Sequence, residues 1–136
     1  MADIATIREG LARNLERIRD VQVSAYMLAS PVPPSIHIFP ATIDYDLGMQ
    51  RGLDVVHFTI EALVAFGLDV GGQQRLDRLL SPTGLDSVKE AVESDRTLGQ
   101  MVQDLRVERM SSYRMVTIPN QNDQVLAATW LVRVHS

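Results

Sequence analysis

The sequence predicts an α+β fold, with helices packed on one face of a mostly antiparallel sheet that includes a long β-hairpin. Apolar residues alternate over Leu53–Phe66, Leu105–Ile118 and Val125–His135, which is the period of a strand with one buried face. Helical periods are grouped between these runs of strands, which favours α+β over a parallel α/β sheet. At 136 residues the chain has the length of one domain, so we predict a single domain over residues 1–136.

The first predicted element is an amphipathic helix over residues 3–18. Asp3 is a plausible N-cap, because its carboxylate can accept from the free amides of the first turn. Apolar residues then recur at steps of three and four and form one stripe along the helix: Ile4, Ile7, Leu11, Leu15 and Ile18.

Two short strands are predicted next. Val21–Leu28 is the first of them, and it is followed by a proline-rich segment, Ser30–Ser35. Prolines cannot donate to a strand ladder, so this segment is expected to be a stiff, extended connection. Ile36–Phe39 is the second strand, and we expect it to end at Pro40.

A long hairpin follows. Ile43–Leu47 alternates between apolar and polar residues, Gly48–Gly52 is typical of a turn, and Leu53–Phe66 is the strongest strand signal in the chain. A regular strand of that length would extend about 45 Å, which is more than most strands in globular domains. Its apolar face carries Val56, Phe58, Ile60, Ala62, Val64 and Phe66.

Two more helices and a second hairpin complete the chain. Residues 70–82 predict a helix with Leu76, Leu79 and Leu80 facing inward. The pair Ser81–Pro82 is typical of an N-cap and first helical position, so a further helix is expected over Pro82–Glu93 that buries Leu85, Val88, Ala91 and Val92. The last two strands are joined by turn residues 119–124 and are expected to form a hairpin.

Composition limits the function classes. The chain has no cysteine, which excludes disulfides and thiolate chemistry, and no apolar run long enough to span a bilayer. Its formal net charge of −4 argues against a nucleic-acid-binding surface. Neither a nucleophile elbow nor a lysine-bearing phosphate loop occurs, so we expect no enzyme, cofactor or resident metal.

One acidic group nevertheless has two interpretations. Asp44 and Asp46 are two residues apart on a strand, so their side chains point the same way. With His57 they could form a small metal-binding or enzymatic site. Alternatively the two aspartates form a solvated or channel-lining acidic face, which any half-exposed strand can show.

The hairpin tip is the candidate interface. It carries Met49, Gln50 and Arg51 between two glycines, and methionine and arginine are enriched in protein interfaces. If the arm projects from the domain, its apolar face at Val56 and Phe58 must be covered by a neighbouring subunit. The other interpretation is an ordinary hairpin that folds onto the chain's own helices.

Two segments carry a family resemblance. The stretch YDLGMQRGLDVVHFTI, followed by QQRLDRLLSPTGLDSVKEAVESDRTLG, resembles tail terminator proteins of long-tailed actinobacterial phages. The resemblance implies an α+β subunit of a hexameric ring that caps the head-proximal end of the tail tube, ends tube polymerisation and joins the head connector. It implies no catalytic residues.

The resemblance also implies partners and location. The expected partners are other copies of the chain, the tail tube protein and the connector or stopper protein, with DNA only passing through the channel and no membrane. The expected location is the tail neck of the virion, assembled in the host cytoplasm. Within the hypothesis of a phage neck protein, the alternative is another neck component, a head–tail stopper or adaptor.

Overall fold

The structure is a computed structural model that describes residues 3–26, 34–45, 54–65, 71–117 and 124–135. These ranges contain three helices and five strands. In chain order they are α1 (Ile4–Leu15), β1 (Gln22–Ser24), β2 (Ser35–Asp44), β3 (Val55–Ala65), α2 (Gly71–Leu80), α3 (Val88–Val92), β4 (Asp104–Thr117) and β5 (Gln124–His135).

The five described strands form one sheet in the order β1-β2-β3-β5-β4. β1 runs parallel to β2, and every other neighbouring pair is antiparallel. The helices and the inward side chains of the sheet share one hydrophobic core. The fold is therefore α+β with a mostly antiparallel sheet, as predicted, and the two predicted hairpins correspond to β2–β3 and β4–β5.

The core lies between the helices and one face of the sheet, called the helix side below. The even-numbered residues of β3, from Val56 to Val64, all point to this side, as the alternation predicted; Phe66 lies outside the described residues. Leu11 and Leu15 of α1 and Leu76 of α2 pack into the same cluster and are fully buried. The other sheet face carries a smaller buried cluster of Leu63, Val125 and Ala127; we call it the open face.

α1 begins where the sequence indicated. Asp3 is the N-cap, and its carboxylate accepts from the Thr6 amide at 2.8 Å. The helix ends at Leu15, three residues before the predicted end, although Ile18 is still buried in the core. No helix in the described part of the chain is long and apolar enough to cross a membrane.

The expectation that Pro40 ends a strand is wrong. β2 continues through Pro40 to Asp44, with a bulge between Pro40 and Thr42. β1 pairs with β2 only from Ser35 to His37, so Pro40 lies beyond the β1 pairing and its missing N–H breaks no bond on that side. Proline is tolerated at a bulge and beside a part of a strand that has no described neighbour on one side.

The predicted helix over Pro82–Glu93 is also wrong at its start. α3 begins only at Val88, because Ser87 and not Ser81 is the N-cap and accepts from the Glu90 amide. The Ser87 hydroxyl also donates to the Ser81 carbonyl, which fixes the turn before the helix. Leu85 therefore lies in the turn and is 76% exposed, whereas Val88, Ala91 and Val92 are buried as predicted.

Candidate functional site

The predicted tip interface lies outside the described residues. Met49, Gln50 and Arg51 fall there, as does Asp46. Asp44 ends β2 and its side chain is half-exposed, which agrees with a solvated position.

Val56 and Phe58 are not available to a neighbouring subunit. Both side chains are 0% exposed and belong to the chain's own core under the helices. The proposed interface role for these two residues is therefore corrected: within the described residues the hairpin folds onto its own helices, because that is where its apolar face finds cover.

His57 and Asp44 come together at one end of the sheet. The His57 Nδ1 atom is 3.1 Å from the Thr42 hydroxyl and 3.9 Å from Asp44 Oδ2. With Val55, Arg133 and His135 they line a small hollow of about 180 Å³. The described residues contain no group of three histidine, aspartate or glutamate side chains placed to hold a metal ion, so the metal-site interpretation gains no support from this end of the sheet.

A second polar group crosses the open face. His37 on β2 and Glu61 on β3 are register partners, and His37 Nε2 donates to Glu61 Oε1 at 2.8 Å. Arg114 on β4 approaches the other carboxylate oxygen at 3.7 Å. The hydrogen bond from His37, helped by the charges of His37 and Arg114, lowers the pKa of Glu61 despite the opposing effect of burial.

Hydroxyl groups extend this group toward β4. The Thr129 hydroxyl lies 2.6 Å from that of Ser111 and 3.0 Å from that of Ser112, and Arg114 donates to Ser112 at 2.9 Å. The second ring nitrogen of His37, Nδ1, is buried and has no hydrogen-bond partner in the described ranges. The His37–Glu61 bond joins two neighbouring strands at a register pair. We interpret this group as a clamp that fixes strand register.

An exposed apolar surface lies on β4. Met110, Tyr113 and Met115 are 42%, 39% and 51% exposed. β4 is the last strand of the sheet and, among the described residues, is bonded on one side only. We call this surface the β4 edge. The bulge between Met110 and Ser112 brings Met110 to the same side as Tyr113 and Met115, which strict alternation along β4 does not predict.

A groove lies at the opposite edge of the sheet, between α1 and β1. It has a volume of about 570 Å³. Its apolar lining is Ala12, Val23, Ala25 and Met101, and its polar lining is Thr6, Glu9, Arg13 and Glu16. We call it the α1 groove. Tyr26 stands beside it, donating its hydroxyl to Glu9 at 3.1 Å with the Arg8 guanidinium 5.0 Å from its ring centre.

A comparison with models of known protein families and with curated proteins finds no match for this chain. The geometry of the described residues and the resemblance of the two quoted segments are therefore the basis for a functional proposal.

Proposed function

We propose that this chain is a structural ring subunit of a phage tail neck, of the tail terminator type. In this role it caps the head-proximal end of the tail tube, ends tube polymerisation and offers a surface to the head connector. The virion neck is its location, and other copies of the chain, the tube protein and the connector are its partners.

The observation that carries the proposal is the β4 edge. A strand of 14 residues that has no neighbour on one side among the described residues and carries three exposed apolar side chains is a surface that natural proteins cover or blunt. Clustered apolar exposure of this kind marks a protein-interaction site. A subunit made for assembly presents such an edge because another chain covers it.

Two further features are consistent with a channel-forming ring. His37 and Glu61 bond to each other across the open face, in the manner of a structural network. The formal net charge of −4 would let DNA pass a channel without adhering to it, because like charges repel.

Electron microscopy of the purified chain with tail tubes tests the proposal. The tubes are polymerised from a purified phage tail tube protein, and tubes alone are the control. Rings at one end of the tubes, with tube growth stopped at that end, are expected. If the chain forms no ring and leaves tube growth unchanged, the proposal is wrong; rings that bind portal complexes but not tubes indicate a stopper or adaptor instead.

A further inference from the structure

The two edges of the sheet differ, and both are open among the described residues. β4 forms one edge, and β1, with three residues, forms the other. Following the strand directions across the sheet, β4 runs antiparallel to β1. If the β4 edge of one copy met the β1 edge of the next, the junction would be an antiparallel pair, like most pairs already in the sheet.

The apolar side chains of the β4 edge lie on the helix side. Met110, Tyr113 and Met115 are opposite Trp130, Ala128 and Leu126 of β5, and those three residues belong to the core. Leu105 and Val107, nearer the start of β4, are buried. The helix layer of the chain therefore covers the first part of β4 and leaves the second part bare.

The α1 groove also lies on the helix side, because α1 forms one wall of it. The registers place it level with the bare part of β4. Tyr113 pairs with Ala128, Ala128 with Ala62, Ala62 with Ile36, and Ile36 with Val23. One row of side chains thus crosses the whole sheet from the exposed Tyr113 to Val23, which lines the groove.

These positions are complementary. Side-by-side copies at the same level would place the bare side chains of β4 beneath the neighbour's α1. The apolar lining around Val23, Ala25 and Met101 would receive the methionines, and the charged rim at Glu9 and Arg13 would meet the polar tip of Tyr113. A tyrosine with its ring buried and its hydroxyl at a polar rim is a favourable interface arrangement.

We propose that β4 of one copy pairs with β1 of the next, so that Met110, Tyr113 and Met115 enter the neighbour's α1 groove. This inference rests on the proposed ring function and names the surfaces that build the ring. Because the two surfaces differ, the contact is heterologous, and heterologous contacts close into rings when the rotation between copies allows it. A pairing of two β4 edges would instead give a two-fold dimer.

Cysteine cross-linking separates these arrangements, and the chain is suited to it because it has no cysteine of its own. Met110→Cys marks the β4 edge and Arg13→Cys marks the α1 groove; both positions are exposed. A short bismaleimide tolerates small errors in the distance between the two thiols. Leu85→Cys, at an exposed turn, replaces Met110→Cys in the control, and the thermal melting of each variant confirms that it folds.

We expect a covalent dimer when the Met110→Cys and Arg13→Cys chains are mixed, and a ladder up to the ring when one chain carries both. Neither variant alone should cross-link, nor should the Leu85→Cys control with Arg13→Cys. Dimers of Met110→Cys alone would overturn the inference in favour of two facing β4 edges. Rings of the unmodified chain without cross-links in the mixture would overturn the interface but leave the ring function standing. Absence of both rings and cross-links when tail tubes are present would overturn both.

Discussion

Replacing Phe58 with alanine should strongly destabilise the fold of a single chain. The Phe58 side chain is 0% exposed, is among the largest fully buried side chains, and lies in the core between β3 and the helices. Truncating a buried phenylalanine costs about 3–5 kcal/mol, since the transfer free energy is lost and a cavity is left. With a urea m-value of about 2 kcal/mol/M, the unfolding midpoint should fall by about 1.5–2.5 M.

Equilibrium urea unfolding at low protein concentration measures this shift. Trp130 is the single tryptophan and is buried in the same core, so its fluorescence reports loss of the core directly. Met110→Ala is the matched control, because it also removes apolar atoms but from the exposed β4 edge. Its effect on the free energy of unfolding should stay within about 0.5 kcal/mol.

The two outcomes distinguish a core role from an interface role for Phe58. A side chain that served a neighbouring subunit would weaken assembly when truncated and leave the unfolding of the single chain nearly unchanged. If the midpoint of Phe58→Ala moves no more than that of Met110→Ala, the placement of β3 against its own helices is wrong.

Three further substitutions test the His37–Glu61 clamp, the α3 N-cap, and the tether that Asn14 makes from α1 to the end of α3. Glu61→Gln should make stability less dependent on acid pH. Because the pKa of Glu61 is lowered in the folded chain, its ionised form stabilises the fold above the ordinary value of 4.5, and this stability is lost as pH falls through the lower folded value. The melting temperature of Glu61→Gln should therefore drop less from about pH 7 to about pH 3 than that of the unmodified chain. Asn14→Ala removes two side-chain hydrogen bonds to the Val92 and Asp95 carbonyls and should cost about 1–3 kcal/mol in urea unfolding. Ser87→Ala removes the α3 N-cap and should cost about 1 kcal/mol in the same assay.

Each of these has a contradicting result, and the last two also have a control variant. An acid profile of Glu61→Gln that matches the unmodified chain would contradict the link between the His37–Glu61 bond and stability. Asn14→Asp should be no better than Asn14→Ala, because a carboxylate cannot donate to two carbonyls; full stability in Asn14→Asp would contradict the tether. Ser94→Ala removes a hydroxyl on an exposed residue that donates to the Ala91 carbonyl and should cost less than Ser87→Ala, because water can replace that bond; equal losses in Ser87→Ala and Ser94→Ala would contradict the capping role.

Much of the fold could be predicted because, over long segments, the apolar residues that recur at strand or helix spacing are the ones buried in the core. β3 alternates without a break from Val56 to Val64, and each apolar residue on that side is in the core. The start of α1 was readable because Asp3 stands just before the apolar stripe. The start of α3 was mispredicted because two serines could cap it. Ser81–Pro82 is a good capping pair, but Ser87 is the N-cap, since its hydroxyl accepts from the Glu90 amide and donates to the Ser81 carbonyl.

The surfaces could not be predicted in the same way, because period says which side chains share a face but not what covers that face. Val56 and Phe58 looked like interface candidates on a projecting arm, yet their own helices cover them. Met110 and Met115 are five residues apart, so strict alternation would place them on opposite faces; the bulge between Met110 and Ser112 brings both to the helix side, where they stay exposed. The level match between Tyr113 and Val23 depends on four strand registers, and none of them can be read from one strand alone.

Native mass spectrometry of the unmodified chain beside Met110→Glu/Met115→Glu tests the edge-to-edge ring most directly. The unmodified chain should give one closed oligomer at a whole multiple of the 15.1 kDa chain mass. The double variant should give folded monomer, because two negative charges would enter the α1 groove, which already carries Glu9 and Glu16, whereas Leu85→Glu should assemble normally. A monomer in every sample, or a double variant that assembles as well as the unmodified chain, would contradict a ring closed through the β4 edge.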